Sequence, residues 1–379
     1  MTVKKLTGKI HLWLGLTSGL VVFIIAITGC LYAFRSEVEN LTQPYRFVQQ
    51  QGRAGLPPSA LSRIAGKELP GKHIHAVLYE GGTHAAKAIF YSGEEDYYYI
   101  VYINPYTGKV LKVKDENKGF FPFVLDGHFY LWLPHEAGHV VVATATLIFF
   151  VMVVTGIVLW WPRNKAGRKQ RFSIKWDARW RRKNYDLHNV LGFYVSWLAI
   201  IFAVTGLVWG FQWFSKAYYA VITGGETMVE YKEPQSVYKP APAGGIPAID
   251  RVWLQLKSEV PQGGSIEVHI PEDSLSAIAV NINPTPATYW RTDYRYFDRY
   301  SLEELHVDHI WGRYNDAKGG KALMRMNYDI HIGAVLGLPG KILAFCISLI
   351  IASLPVTGTL IWWGRRSKTK TTAKTIKKP

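Results

Sequence analysis

Twelve histidines lie in the 379-residue chain, and four of them recur in matched settings. His11 opens His11-Leu-Trp-Leu-Gly15 and His188 opens His188-Asn-Val-Leu-Gly192. Each precedes a Thr-Gly pair, Thr28-Gly29 or Thr205-Gly206, by the same interval. His128 and His331 follow an aspartate by two residues and stand upstream of Thr155-Gly156 and Thr357-Gly358. Neutral imidazoles are strong nitrogen ligands. Paired at two depths, they are what two b-type haems need: two axial nitrogens close both iron faces and leave electron transfer as the chemistry. The reading pairs His11 with His188 and His128 with His331. His139 is the alternative to His128, because it lies deeper in its run and corresponds to Lys341. Gly29, Gly156, Gly206 and Gly358 are read as side-chain-free walls for a flat porphyrin. The plainer readings are close helix packing by small residues for the glycines and interfacial hydrogen bonding for the histidines.

A rival chemistry is written in His135-Glu136-Ala-Gly-His139, which matches H-E-x-x-H, the helix of zinc proteases. No third ligand follows in a suitable helix, Gly138 is a poor helix former, and the repeated histidines stay unexplained. Cys30 and Cys346 are too few for a disulfide scaffold, a four-cysteine zinc site or a cysteine-ligated cluster. Both are read as packing residues. No C-x-x-C-H occurs, so covalently attached haem is excluded. His73, His75 and His84 read as exposed, and His306–His309 as a polar loop.

The elements that must position these residues are four apolar runs, near residues 10–34, 140–161, 187–214 and 336–363. A hydrocarbon core of about 30 Å needs about 20 helical residues, and each run supplies them. Hydrophobic residues make up 49% and charged residues 19%, a composition poor in charge for a soluble chain. The net charge of +16 could suggest nucleic acid, but its distribution argues against that. Nearly half of the basic residues lie before the first run, in the 163–185 loop and after the fourth run, where Asp177 is the single acid. The positive-inside rule then puts both termini and the 163–185 loop in the cytoplasm. The first run lacks a cleavage site and reads as an anchor.

The expected order is a first span over 1–35 and an outside module over 36–127. A second span with its lead-in follows over 128–162, then a basic loop over 163–185 and a third span over 186–214. A linker and second module take 215–327, a fourth span with its lead-in 328–364, and a basic tail 365–379. Runs one and two thus repeat as three and four. The fold class is a four-helix transmembrane bundle of two parallel repeats with two small outside α+β modules. The first module closes on the turn Asn104-Pro-Tyr-Thr-Gly108. No G-x-G-x-x-G occurs, so an electron donor must be external.

The Leu-His-x-x-x-Gly start at Leu187–Gly192, the Thr-Gly-x-x-x-Trp-Trp-Pro-Arg exit and the Asn-Pro-Tyr-Thr-Gly-Lys-Val-Leu turn resemble the PepSY-associated transmembrane family. Some of its members are iron-regulated membrane proteins and inner-membrane siderophore reductases. The resemblance covers most of the chain. It implies a di-haem core under two PepSY-like periplasmic modules, with His11, His128, His188 and His331 as haem ligands in a bacterial inner membrane. It also implies one-electron reduction of a ferric siderophore, with Fe(II) released and a quinol or cytoplasmic reductase as donor. A docking mouth is placed near Trp132, Trp311, Arg313 and Tyr314, for which the plainer reading is an interfacial aromatic belt. Asp293–Leu305 stands where the first module has its Pro-x-Thr-Gly turn. A zinc protease and a non-catalytic sensor or assembly protein are the other functions considered.

Overall fold

A computed structural model describes residues 2–162, 171–239 and 245–375, with side chains to Arg366. Arg163, Lys165, Arg168 and Lys169 of the basic loop, the side chains of the tail lysines and part of the proline-rich linker lie outside the described residues. In chain order the helices are α1 (Val3–Ala33), α2 (Arg35–Thr42), α3 (Pro58–Glu68), α4 (Phe120–Tyr130), α5 (His135–Trp160), α6 (Trp180–Gly210), α7 (Gln212–Thr223), α8 (Ala248–Leu256), α9 (Gly320–Arg325), α10 (Asn327–His331) and α11 (Gly337–Thr375). The strands are β1 (Ala76–Glu80), β2 (Ala86–Ser92), β3 (Tyr97–Ile103), β4 (Val110–Asp115), β5 (Ser265–His269), β6 (Ile278–Asn283), β7 (Asp293–Phe297) and β8 (Glu304–Leu305). Chain contacts divide these elements into two compact units.

One unit is the helical bundle. α1, α5, α6 and α11 contain the four stretches long and apolar enough to cross a membrane. Residues 12–27, 140–154, 189–204 and 342–356 contain no Asp, Glu, Lys, Arg or His. Backbone groups there bond within each helix, as a hydrocarbon environment demands. α1 packs on α5 and α11, and α6 packs on the same two helices. The mid-bundle core is made of small and branched residues: Val22, Ala26, Val195, Ala199, Ile347, Ile351 and Ala352. Pro355 lies inside α11, and Gly19 on α1 gives it room, since a Cβ there would stand 3.3 Å from the proline ring.

The other unit holds the two stretches between spans, and here the structure corrects the expectation of separate modules. All eight strands form one antiparallel sheet, ordered β4-β3-β2-β1-β5-β6-β7-β8. The join is β1 against β5, with Val77 opposite Val268. Each half has its own core: Leu61, Val77, Phe90 and Val101 in one, Val252, Val268, Ile278 and Phe297 in the other. Tyr79 packs against both cores, with its ring 5.4 Å from that of Trp253. Asp250 of α8 accepts the backbone N–H of Ser59 at 2.9 Å and also its hydroxyl, so it caps α3 of the other half.

The turn of the first half recurs in the second without its glycine. Asn104 Oδ1 accepts the N–H groups of Tyr106 and Thr107, and Gly108 closes the turn at φ +74°. Asp298 Oδ1 accepts those of Tyr300 and Ser301 in the same way, and Leu302 closes it at φ +61°. Leucine takes the left-handed region at a cost of about 1–2 kcal/mol. Its side chain packs against the second core, which offsets that cost.

α2 is tied to β4 by buried charge. Glu39 contacts Arg35 at 3.2 Å, Arg46 at 2.8 Å and Lys114 at 3.0 Å, while Glu116 contacts Arg35 at 2.6 Å and Lys114 at 2.9 Å. Burial alone would raise the Glu39 carboxyl; the three cations outweigh it and hold the carboxyl below its ordinary range. A depressed carboxylate stabilises fully above its unfolded value, about 4.3, and loses that contribution as pH falls through the folded value. The melting temperature of the sheet unit is therefore expected to drop as pH is lowered through about 4. Glu39→Gln should destabilise the unit by about 3 kcal/mol at neutral pH and flatten this acid limb. Thermal melts at several pH values check both.

Candidate functional site

In the bundle, four histidines meet four threonines in one repeated arrangement. His11 Nδ1 lies 3.0 Å from Thr155 Oγ1, His188 Nδ1 3.0 Å from Thr357 Oγ1, His128 Nδ1 3.2 Å from Thr28 Oγ1 and His331 Nδ1 2.9 Å from Thr205 Oγ1. The contacts join α1 to α5 and to α4, and α6 to α11 and to α10. Each hydroxyl donates its own proton one turn back: Thr28 to Ile24, Thr155 to Met152, Thr205 to Ile201 and Thr357 to Ser353, at 2.7–3.0 Å. Such back-bonding is a common use of threonine within helices. The oxygen then has only lone pairs to offer, so Nδ1 is the protonated nitrogen and Nε2 the bare one. A carbonyl three residues before each threonine assists: Ile25 O lies 2.9 Å from His128 Nδ1, and Met152, Leu354 and Phe202 supply the others.

The glycine after each threonine completes the clasp. A Cβ on Gly29 would stand 3.2 Å from His128 Cε1, on Gly156 3.4 Å from His11, on Gly206 3.4 Å from His331 and on Gly358 3.1 Å from His188. The glycines thus make room for imidazole rings, where the sequence reading had assigned them to a porphyrin wall. Gly156 and Gly358 also line a cavity. The threonines were visible in the sequence as half of each Thr-Gly pair, but their hydrogen-bonding role was missed.

His11 and His188 line one cavity of about 440 Å³ among α1, α5, α6 and α11, within the range of about 300–1,000 Å³ usual for cofactor and ligand sites. Its walls include Gly8, Gly15, Gly19 and Gly192 as well as aliphatic side chains. At the other end of the bundle the His128 and His331 rings have centroids 6.3 Å apart. Two rings that share one metal through bonds of about 2 Å stand roughly 6 Å apart. Every recorded hydrogen bond of these four imidazoles uses Nδ1, and Nε2 carries none among the described residues. Such nitrogens are suited to a metal that takes two opposed imidazoles.

Short lead-in segments carry His128 and His331 to this position. α4 ends at Tyr130, and Leu131 and Trp132 turn back at φ +55° and +57° into α5. Gly138 lets the first turn of α5 touch the Tyr130 backbone: a Cβ there would be 2.3 Å from Tyr130 O. In the fourth span Gly340 does the same, with a Cβ 2.1 Å from Gly333 O. The aspartates two residues upstream do not serve their own histidines. Asp126 stands 3.4 Å from His135, and Asp329 accepts backbone N–H groups of Tyr289 and Trp290.

The remaining candidates have other partners. His139 is exposed, and its Nε2 donates to the Trp209 carbonyl at 3.2 Å. His135 stacks on Tyr130 at 4.1 Å. The two histidines of the H-E-x-x-H match are therefore engaged separately, and no cluster of three or more metal-ligating side chains occurs among the described residues. Trp132 folds onto α4, its ring 5.0 Å from Phe123 and its Nε1 donating to the Phe123 carbonyl at 2.8 Å. In the sheet unit, Trp311 meets Tyr294 edge-on at 5.6 Å and Tyr314 meets Trp290 at 5.4 Å. Arg313 forks onto Glu304, which also binds Arg295, and that bond raises the guanidinium further above its ordinary value. Arg313 lines an open cavity of about 390 Å³ in this unit, already neutralised by Glu304. His75, read as exposed, packs half-buried against His269 with centroids 4.8 Å apart. Burial and the facing imidazole push it below its ordinary value. Cys30 and Cys346 are free thiols.

The four apolar helices make this a membrane protein. No curated protein matches the chain. The family model described as the PepSY-associated TM region matches residues 9–365, and the chain belongs to that family.

Proposed function

We propose that the chain is a di-haem, b-type electron-transfer protein that reduces a ferric siderophore and releases Fe(II). The observation that carries this reading is the fourfold His–Thr–Gly clasp. It holds four imidazoles at two levels with Nδ1 occupied and Nε2 bare. A single such histidine would be an ordinary hydrogen-bonded side chain. Four in the same geometry, two at each end of one bundle, fit a purpose that needs bare nitrogens in pairs.

The residues fit the group. His11 and His188 would hold one haem in the glycine-lined cavity, and His128 and His331 the other, in preference to His139. A haem held by two imidazoles supplies one-electron transfer and has no open iron position. The chain does the rest. Each threonine fixes its ring's orientation and tautomer, as partners behind a metal ligand do elsewhere. The mid-bundle core excludes water and charge between the two levels. From His11 to Thr28 the helix rises about 26 Å, so two relays share the crossing.

The repeated clasp, and a sheet with four strands from each half of the chain, support a duplication into two parallel repeats. The basic segments support cytoplasmic termini in a bacterial inner membrane, with the PepSY-like sheet unit on the periplasmic side. On that orientation His11 and His188 would hold the haem on the side of an external quinol or reductase, and His128 and His331 the haem on the side of the chelate. Each Fe(III) chelate takes one electron and becomes an Fe(II) chelate.

Anaerobic addition of ferric siderophore to the dithionite-reduced protein, freed of excess reductant, tests the substrate. The reduced b-type spectrum is expected to convert to the oxidised form as an Fe(II) chelator gains colour in equal amount. A reduced spectrum that persists in excess ferric siderophore would rule this substrate out.

A further inference from the structure

The cavity shared by His11 and His188 has one charged end. Among the described residues lining it there is no Asp or Glu, and its three cations are Lys4, Arg171 and Arg365. Lys4 precedes His11 by seven residues on α1, and Arg365 follows Gly358 by seven on α11. Seven residues return a helix to the same face and advance it about 10.5 Å. Both side chains therefore stand two turns outward from the histidine level, on the faces that hold His11 and make room for His188. Arg171 is anchored at the same end by the carbonyls of Leu159 and Trp160, where α5 finishes. Basic residues near helix ends often serve lipid headgroups. Lys5, Lys9 and Arg366 are available for that and do not line this cavity.

A b-type porphyrin is apolar except along one edge, which carries two propionate carboxylates. The cavity has a similar division: mostly glycine, aliphatic and aromatic walls around the imidazoles, with Ser18, Asn189 and Ser196 among them, and three cations at one end. We infer that Lys4, Arg171 and Arg365 bind the propionates of the porphyrin held by His11 and His188, fixing its acidic edge toward the end where α1 begins. Carboxylate–guanidinium and carboxylate–ammonium bonds are the strong kind. Their geometry would set which way round the disc enters. This inference rests on the di-haem reading.

The test compares iron protoporphyrin IX with its dimethyl ester, in which both propionates are masked. Haem-free protein in detergent is titrated with each. One of its two sites is expected to prefer the diacid by about tenfold or more. In Lys4→Gln/Arg365→Gln that preference should collapse while the second site keeps its own ratio and reports an intact fold. Lys9→Gln should leave both ratios unchanged, and Lys4→Arg/Arg365→Lys should keep the preference. Equal binding of acid and ester to both sites of the unsubstituted protein would overturn the inference. So would an unchanged ratio in Lys4→Gln/Arg365→Gln. Failure of either porphyrin to give a two-imidazole spectrum at any site would instead defeat the di-haem reading beneath it.

Discussion

His188→Ala and His331→Ala are each expected to purify with one haem per chain in place of two, and with no ferric-siderophore reduction above background. The two losses should be complementary. His188→Ala removes a ring from the glycine-lined cavity and leaves the 6.3 Å His128/His331 pair untouched. His331→Ala does the reverse. Each substitution deletes a bare Nε2 and frees one threonine, Thr357 or Thr205, whose hydroxyl keeps its own backbone acceptor. The helices therefore lose a ligand without gaining a buried unpaired donor. Circular dichroism should stay close to that of the unsubstituted protein. Redox titrations should pass from two components to one, with a different component surviving in each variant. Loss of both haems from a helical, monodisperse His188→Ala protein would contradict independent sites. By contrast, His139→Ala should keep both haems, since that ring is exposed and bonded to the Trp209 carbonyl.

Gly340→Ala is expected to be as damaging as loss of His331, although it removes no ligand. Its new methyl would meet the Gly333 carbonyl oxygen 2.1 Å away. That atom is backbone, so no side-chain rotation relieves the clash. Gly333 has φ +76°, and a Cβ there would itself lie 2.3 Å from Gly340 O, so the two glycines interlock. Prising them apart moves the segment that presents His331. Strain and overpacking of this kind cost about 1–3 kcal/mol or more, enough to displace a ligand that must sit within about 0.5 Å. The haem count should fall to one, with the His11/His188 component retained. Gly138→Ala should do the same to His128 through the Tyr130 carbonyl, 2.3 Å from its methyl. Gly52→Ala, in open space outside the bundle and at an ordinary φ, serves as a control for haem loading.

The spans and the histidines were legible because their signals are local. Runs free of charge need no partner to be read, and His11 and His188 share a spacing to Thr-Gly that stands out in one dimension. What faces each Thr-Gly pair is another matter. Thr28 meets His128 and Thr155 meets His11 across helices, and nothing along α1 or α5 alone says that Gly29 and Gly156 make room for imidazoles. Gly138 and Gly340 were noticed as a recurrence without a cause. The cause is a backbone contact across a tight reversal, fixed only once α4 and α5, or α10 and α11, are folded. The sheet was misread for a similar reason. β1 and β5 each look like the edge of a small module, and their pairing closes a very long loop that no local pattern announces. In the second turn Leu302 occupies the position where Gly108 marks the first, so the usual glycine signal was absent while Asp298 kept the hydrogen bonds. The H-E-x-x-H match shows the opposite failure. Its spacing was right for zinc, but His135 and His139 bind to different parts of the bundle.

The account stands on bare Nε2 atoms gripping iron at two levels. The most direct measurement is the pyridine haemochrome content of the purified full chain from haem-replete cells, set against its protein concentration by amino-acid analysis. Two b-type haems per chain are predicted, and a colourless protein would contradict the account.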